Sequence, residues 1–221
     1  MTFSDFNGLN ASVLHDAVEK IKGHQVSENL CCRAIRPIAR QPTIVGPAHT
    51  IRLSRAMNLD GTERTKVMHA YDTAPEGTVV VIEVMANLGG GVVGDVVAHR
   101  LKRLGVKAAV VDGCIRDVLG IEQHGVPVWA REVSMAGMVP GEVHVEVGCP
   151  ISVGGVLVRP GDLVALDMDG VFICPEELVS SAVPMAKEFL VSEEKTHDGI
   201  AAGKSIVQAY PSKIKPPAKS G

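Results

Sequence analysis

Two short apolar runs, each followed by glycine and then by an amphipathic segment, constrain the fold of this chain more than any other feature. Residues 78–84 (TVVVIEV) and 107–111 (KAAVV) are almost uninterrupted in their apolar character, which is typical of strands that are covered on both faces. A glycine cluster at 89–91 separates the first run from apolar positions at helical spacing between Asp95 and Leu104. Strands that alternate with helices in this way predict a parallel α/β sheet.

The segments on either side extend this α/β pattern. Apolar positions at helical spacing predict a helix from Ala11 to Ile21, and Gly23 is placed to end it. Further strands are expected at 44–53 and 127–130, and further helices at 62–71 and 117–123. A length of 221 residues is typical of one domain. We therefore expect a single α/β domain over residues 1–221.

The hydropathy pattern of the sequence changes after Glu132. Short apolar runs separated by glycine-rich turns predict a β-rich half that forms one layer of the same domain. Pro175, followed by two glutamates, predicts the start of a C-terminal helix, because proline suits the first turn and acidic side chains suit the positive end of the helix dipole. Pro184 is expected to kink or break that helix. The polar, proline-rich residues 211–221 are expected to form a flexible tail.

Composition excludes several classes of protein. A net charge of -3 and an isoelectric point near 6.2 argue against binding to nucleic acid, which usually requires a basic face. We expect no membrane span, because no apolar run approaches the ~20 residues that a bilayer requires, and the first residues do not resemble a signal peptide. Five cysteines without a CxxC pair predict free thiols in a reducing compartment. The expected location is therefore cytoplasmic.

The residues that could support chemistry are Asp95, Arg116 and Asp117. Asp95 follows one predicted strand and opens a helix, and the pair Arg116 and Asp117 does the same after the next strand. Open α/β sheets bind their ligands at such positions. Free amides at the start of the Asp95 helix could bind an anion, Arg116 could hold a carboxylate through two hydrogen bonds, and Asp117 offers an oxygen ligand for Mg²⁺. The alternatives are structural: Asp95 could be a helix cap, and Arg116 with Asp117 could be a surface ion pair or a cap.

The spacing of these residues, with twenty positions between Asp95 and Arg116, resembles the shared motif of the class II pyruvate aldolases. These are the 4-hydroxy-4-methyl-2-oxoglutarate and 4-carboxy-4-hydroxy-2-oxoadipate aldolases with their RraA-like relatives. The resemblance covers most of the chain. Other matching stretches, in order, are 9–20 (LNASVLHDAVEK), 45–52 (VGPAHTIR), 127–129 (PVW), 148–155 (GCPISVGG), 160–162 (PGD) and 167–171 (DMDGV), closed by Pro175.

The resemblance implies a role for each matching residue. It assigns the amides of Gly94, Asp95, Val96 and Val97 to binding of the substrate carboxylate. It further implies that Arg116 binds substrate, that Asp95 orients water at the metal, and that Asp117 is the one protein ligand of a divalent cation, Mg²⁺ or Mn²⁺. In the family a glutamate from a neighbouring subunit approaches the site, and here the matching residue is either Glu193 or Glu194.

The resemblance also implies an architecture and an activity. The expected fold is a layered β/β/α swivelling-type sandwich, assembled as a homotrimer or as a homohexamer made of two trimers. The expected enzyme is a metal-dependent lyase that cleaves a 4-hydroxy-2-oxo acid to pyruvate and a second carbonyl product, with oxaloacetate decarboxylation as a side activity. The motif leaves the group on C4 open. The alternative is a non-catalytic RraA-like protein that binds and regulates RNase E.

Overall fold

The structure is a computed structural model, and it describes residues 6, 8–26, 30–56, 63–85, 88–138 and 143–210. Its helices are α1 (Ala11–Lys22), α2 (Glu63–Asp72), α3 (Asp95–Arg103), α4 (Val118–His124), α5 (Glu176–Ala201) and α6 (Ile206–Ala209). Its strands are β1 (Arg36–Pro37), β2 (Ile44–Arg55), β3 (Val79–Val84), β4 (Ala108–Ile115), β5 (Val128–Val133), β6 (Val143–Val147), β7 (Ile151–Val153), β8 (Val156–Val158), β9 (Leu163–Leu166) and β10 (Val171–Cys174). The tail expected at 211–221 lies outside the described residues.

Eight of these strands form one mixed sheet in the order β1-β5-β4-β3-β2-β9-β10, with β6 also paired to β2. The pairs β2–β3, β3–β4 and β4–β5 are parallel, as the alternation of strands and helices predicts. Strand β2 is long enough to pair with β9 through its first residues and with β6 through its last ones. The expectation that the β-rich half forms a layer of its own is therefore wrong for β6, β9 and β10, which complete the main sheet.

The sheet is covered on both faces, so the predicted α/β class and its β/β/α layers are confirmed. On one face Val80 and Ile82 of β3 pack with helices α2, α3 and α4. On the other face Val79 and Val81 pack with the small β7–β8 sheet. This alternation is why residues 79–82 are apolar without interruption. A third cluster places α1 and α5 on β9 and β10.

Two aspartates in the matching stretches after residue 159 have structural roles. The Asp167 carboxylate, which is 8% exposed, accepts hydrogen bonds from the backbone amides of Ala11, Asp169 and Gly170. Asp162 likewise accepts from the amides of Arg159 and Glu176, at 2.7 and 3.0 Å. These carboxylates satisfy amides at the starts of α1 and α5, which have no partner within their own helices.

Helix α5 begins directly after Pro175, as expected. Of the two effects expected of Pro184, a kink or a break, the break does not occur, because the helix continues through Pro184 to Ala201. A proline inside a helix costs about 3 kcal/mol, because it removes one hydrogen bond and crowds the preceding turn. The buried neighbours Ala182, Val183 and Ala186, which pack in the third cluster, offset that cost.

All five cysteines are free thiols, as predicted. Cys32 and Cys174 are buried, and burial raises the pKa of each thiol to about 12. Within the described ranges, no helix combines the length and the apolar character that crossing a bilayer requires.

Candidate functional site

The predicted site residues lie where the loop before α3 runs beside the end of β4. The backbone amide of Val92 donates to the carbonyl of Cys114 at 2.9 Å, and the amide of Arg116 donates to the carbonyl of Val93 at 3.0 Å. These bonds bring Gly94 next to the start of α4. The apolar run predicts a strand that ends at Val111. Strand β4 instead continues through Ile115, so residues 112–115 belong to the strand and not to a loop.

Gly94 lies directly against the Arg116–Asp117 pair. A β-carbon on Gly94 would stand 2.9 Å from Asp117 Oδ2 and 3.4 Å from Arg116 Nε. A side chain at position 94 would therefore displace the Asp117 carboxylate and the Arg116 guanidinium from this arrangement. The structure brings together Gly94, Asp95, Arg116 and Asp117, and we call these four residues the Asp95–Asp117 site.

Asp117 occupies an unusual backbone conformation. Its φ of 59° and ψ of 43° are left-handed, and its side chain makes no capping hydrogen bond at the start of α4. Asp117 thus occupies the N-cap position of α4 without capping the helix through its side chain, and the ion pair with Arg116 is present, with 3.0 Å between Nε and Oδ2. A left-handed backbone conformation lowers the stability of the fold by about 1 kcal/mol, and an exposed ion pair raises it by about 0–1 kcal/mol. Stability alone does not explain this geometry, which is a reason to assign it a function.

Asp95 is the first residue of α3, and the helix cap is Gly94. The alternative that Asp95 is the N-cap is therefore wrong. Its Oδ1 accepts a hydrogen bond from the amide of Val96 at 2.7 Å. Its Oδ2 faces α4, where a β-carbon on Gly120 would stand 3.0 Å away. The absence of a side chain at Gly120 leaves room for this carboxylate between the two helices.

The expected role of residues 94–97 in binding an anion fits the backbone only in part. The amide of Val96 already donates to Asp95, so it must leave that bond before it can bind a substrate carboxylate. The Val96 side chain is 77% exposed at the rim of the site, whereas Val97 packs against the helical core. Sequence reasoning placed these residues correctly at the start of α3 but did not reveal the local hydrogen bond.

Three glycines that sequence reasoning did not assign to the site shape the surroundings of Arg116. A β-carbon on Gly91 would stand 2.8 Å from the Arg116 backbone nitrogen, and one on Gly137 would stand 2.9 Å from Nη1. Gly90 approaches the Ala136 carbonyl even more closely. For Gly90 and Gly91 the sequence offers a signal in the glycine cluster at 89–91, which on its own is only a weak phosphate-loop pattern. In the structure these glycines let two loops lie flat against the arginine.

Glu193 and Glu194 lie elsewhere on the chain. Both are on α5, which packs with α1 on β9 and β10 at the opposite edge of the sheet from β4 and β5. Glu193 is half-buried and Glu194 is exposed. Neither residue belongs to the cluster around Arg116 within one chain. A role in the site would require a second subunit.

The donor set of the Asp95–Asp117 site fits a hard divalent cation. Mg²⁺ keeps several waters and takes one or two carboxylates from the protein, and this site offers Asp117 with Asp95 nearby. The Arg116 bond uses Asp117 Oδ2, which leaves Oδ1 for an ion. In the part of the chain that the structure describes, the one group of three potential ligands within 4.8 Å is His15, Asp16 and Glu19 on α1. An ion bound at Asp117 would therefore draw its other ligands from water and substrate.

Two other residues near strand β4 carry groups that can react. Lys107 is half-buried, and its Nζ donates to the Val45 carbonyl at 2.8 Å. Burial lowers the pKa of this amine, but the residue precedes β4, at the end of that strand opposite to Arg116. Cys114 lines a cavity beside the site.

Comparisons with known proteins show which family this chain resembles. The family model described as RraA-like, Aldolase/RraA, matches residues 11–173. A protein of Halalkalibacterium halodurans with the provisional name 4-hydroxy-4-methyl-2-oxoglutarate aldolase is 31% identical over 180 residues, which cover 81% of this chain and 82% of that protein.

Two solved structures share the fold. The structure of Streptomyces coelicolor RraAS2, described as an unusual member of the RNase ES inhibitor RraA family, has 25% identity and a TM-score of 0.74, covering 88% of this chain and 96% of that chain. An uncharacterised protein from Pseudomonas syringae has 23% identity and a TM-score of 0.80, covering 95% of this chain and 92% of that chain.

Proposed function

Because the chain belongs to the RraA-like family, Aldolase/RraA, we propose that it is a metal-dependent lyase that cleaves a 4-hydroxy-2-oxo acid. The products are pyruvate and a second carbonyl compound. The observation that carries this proposal is the meeting of Arg116, Asp117 and Asp95 around Gly94. The exposed guanidinium of Arg116 paired with the exposed carboxylate of Asp117, beside the half-buried Asp95 at the start of α3, suits a 2-oxo acid and a divalent ion.

Each residue of the site has a separate task in this reaction. Arg116 binds the substrate carboxylate through its planar guanidinium and supplies positive charge where the enolate forms. Asp117 would hold the divalent ion, which supplies Lewis-acid stabilisation of the enolate when bound. Asp95, with Oδ2 directed away from its own helix amide, accepts the proton of the C4 hydroxyl through an intervening water. The C3–C4 bond then breaks, its electron pair forms the enolate, and protonation at C3 yields pyruvate.

Oxaloacetate decarboxylation passes through the same enolate and needs the same carboxylate-binding residue. We therefore propose it as a side activity of the same site. The C4 proton acceptor is not needed in that reaction, because carbon dioxide leaves without a hydroxyl proton. Substitution of Asp95 is thus expected to reduce aldol cleavage more than decarboxylation.

A test of this function is detection of pyruvate with a coupled dehydrogenase. Purified protein is incubated with a panel of 4-hydroxy-2-oxo acids and with oxaloacetate, in the presence of Mg²⁺ or Mn²⁺ and then with excess chelator. We expect pyruvate release that depends on the ion. Activity that is unchanged in chelator contradicts the metal assignment, and no release from any substrate contradicts the enzyme assignment.

The second candidate is a protein that binds and regulates RNase E, and the name of the Streptomyces relative favours it. A protein binder does not need Asp95, Arg116 and Asp117 together, so their meeting favours the enzyme. An RNase E cleavage assay with added protein separates the two. Inhibition that survives the substitution Asp117→Asn, in a protein that releases no pyruvate, supports the regulator.

We further propose a homotrimer or homohexamer in which a glutamate of the neighbouring subunit, Glu193 or Glu194, completes the site. Exposed apolar side chains surround the Asp95–Asp117 site, namely Val96, Leu119, Val133 and Met135. A second exposed apolar set lies on α5 and α6, namely Val191, Ile200, Ile206 and Val207. Contact between these two surfaces in neighbouring subunits would bury both and bring α5 to the site.

A further inference from the structure

A cavity of about 430 Å³ opens beside the Asp95–Asp117 site. It lies between the ends of β4 and β5 and the loop that follows β3. Val84 and Leu88 form its apolar wall, Gly90 forms part of its rim, and Cys114 and Glu132 contribute polar atoms. Strands β4 and β5 set the last two residues opposite each other, because Cys114 pairs in register with Glu132.

The cavity begins within one substrate length of Arg116. The Arg116 guanidinium and the cavity residue Gly90 both lie against Gly137: a β-carbon on Gly137 would stand 2.9 Å from Arg116 Nη1, and a β-carbon on Gly90 would stand 2.9 Å from the Gly137 carbonyl carbon. Gly90, on the rim, adjoins Gly91, which lies against the Arg116 backbone. In a 4-hydroxy-2-oxo acid four bonds of about 1.5 Å separate the carboxylate carbon from the first atom beyond C4, so these atoms lie about 5 Å apart in the extended molecule. A substrate held by Arg116 can therefore extend its C4 substituent into this cavity.

The charges in the cavity do not balance. Asp112 and Arg131 also line it, but they neutralise each other: Arg131 Nε donates to Asp112 Oδ1 at 2.6 Å, and Arg131 Nη2 donates to the same oxygen. The amide of Gly154 donates to Asp112 Oδ2 at 2.7 Å, which completes the partners of that carboxylate. The charge of Glu132 is not cancelled in this way, and its side chain is exposed.

The hydrogen-bond partner of Glu132 is a neutral group. The Cys114 thiol donates to Glu132 Oε2 at 3.6 Å. Burial, and after it the bond to Glu132, raise the pKa of this thiol, so it stays protonated and carries no charge. The described lining of the cavity thus presents a carboxylate that can accept a hydrogen bond and that repels another carboxylate.

We propose that this cavity receives the C4 substituent of the substrate, and that Glu132 selects an uncharged, hydroxyl-bearing substituent against a carboxylate. The inference rests on the aldolase function proposed above and names its substrate class. It differs from the compound in the name of the Halalkalibacterium relative, 4-hydroxy-4-methyl-2-oxoglutarate, which carries a carboxylate on C4. A hydroxyl donor can bond to Glu132, whereas a carboxylate would meet a like charge across the cavity.

Two substrates of nearly equal size test this inference. The substrate 4,5-dihydroxy-2-oxopentanoate carries a hydroxymethyl group on C4, and 4-hydroxy-2-oxoglutarate carries a carboxylate there. We expect the wild-type kcat/KM for the first to exceed that for the second by about tenfold or more, because the carboxylate of the second meets the like charge of Glu132 at short range. A wild-type preference for the diacid overturns the proposal.

Variants at Glu132 and a matched control sharpen the result. Glu132→Gln should bring the two kcat/KM values close together, and Glu132→Lys should reverse the preference, because it replaces the repelling charge with an attracting one. Glu76→Gln changes an exposed glutamate before β3, at the opposite end of the sheet, and should leave the ratio unaltered. If the ratio of the two kcat/KM values is the same in wild type, Glu132→Gln and Glu132→Lys, Glu132 does not discriminate between the two substituents.

A separate measurement distinguishes failure of this inference from failure of the proposed function. Exchange of the pyruvate methyl protons with deuterium, followed by NMR, reports enolate formation without any C4 substituent. Exchange without cleavage of either substrate overturns the cavity assignment while the enolate site stands. Neither exchange nor cleavage in wild type overturns the aldolase proposal, and the inference fails with it.

Discussion

At the scale of single residues, Asp117 combines backbone strain with an exposed charge, and this combination leads to a test. Asparagine tolerates the left-handed conformation as aspartate does, so Asp117→Asn removes the charge with little added strain. We expect turnover to fall by about a hundredfold or more, because the ion loses its protein ligand, while the thermal midpoint changes little. Pyruvate release and circular dichroism measure the two effects. Full activity in this variant contradicts the ligand role.

Arg116 provides a second test at this scale, since lysine keeps its charge but loses its planar pair of donors. Oxalate, a planar mimic of pyruvate enolate, should inhibit Arg116→Lys about tenfold or more weakly than wild type, in line with the 1.5–3 kcal/mol typical of charge-assisted hydrogen bonds. Arg100→Lys is the matched control, because Arg100 lies on α3 and pairs with Asp72 instead. An unchanged inhibition constant in Arg116→Lys means that this side chain does not face the substrate.

The sequence locates the charged side chains of the Asp95–Asp117 site better than it predicts the glycines that make room for them. The spacing of Asp95 and Arg116 follows from a strand, a loop and a helix start, so periodicity and resemblance locate both. Gly120 and Gly137 are different, because a side chain distant in sequence explains why glycine is needed there. Gly120 makes room for the Asp95 carboxylate, and Gly137 makes room for the Arg116 guanidinium. A glycine in a helix or after a strand carries no sign of which side chain will approach it.

At the scale of elements, errors of the sequence reading follow from contacts between distant segments. Strand β4 was expected to end at Val111 because Asp112 and Gly113 are typical of a turn. The strand continues because β5 supplies Arg131 as a partner for Asp112 and pairs with Cys114. Helix α5 likewise continues through Pro184 because its buried face is held by α1. Local propensity yields to tertiary contacts in both cases.

Asp167 yields a prediction about how elements are joined. Its carboxylate accepts from the amide that begins α1 and from two amides of the turn before β10. Asp167→Ala leaves these amides without that partner, so we expect a loss of about 2–4 kcal/mol in the free energy of unfolding. Urea denaturation measures it. Asp169→Ala is the control, since that side chain is exposed, and it should cost less than about 1 kcal/mol. Equal losses in both variants contradict the role given to Asp167.

At the scale of the whole molecule, topology is the part that the sequence predicts least. The apolar pattern indicates that 143–147 and 163–174 form strands, but not that β6 and β9 pair with β2, and β10 with β9, so that all three join the main sheet. Antiparallel strands that follow one another in sequence can form their own sheet or join an existing one. Their apolar pattern is the same in both cases. The pairing decides where α5 lies, and therefore which part of a neighbouring subunit can reach the Asp95–Asp117 site.

The shared site proposed between subunits can be tested by complementation. Asp117→Asn subunits and Glu193→Ala/Glu194→Ala subunits are each expected to be inactive, because each removes one half of every site. After subunit exchange in a 1:1 mixture, a site that joins halves from two neighbours has both wild-type halves about one time in four, whatever the size of a cyclic assembly. We therefore expect about a quarter of wild-type activity to return, with native mass spectrometry to verify exchange between differently tagged subunits. Activity that stays absent despite verified exchange means that each site is built within one chain. An active glutamate variant means that neither glutamate completes the site.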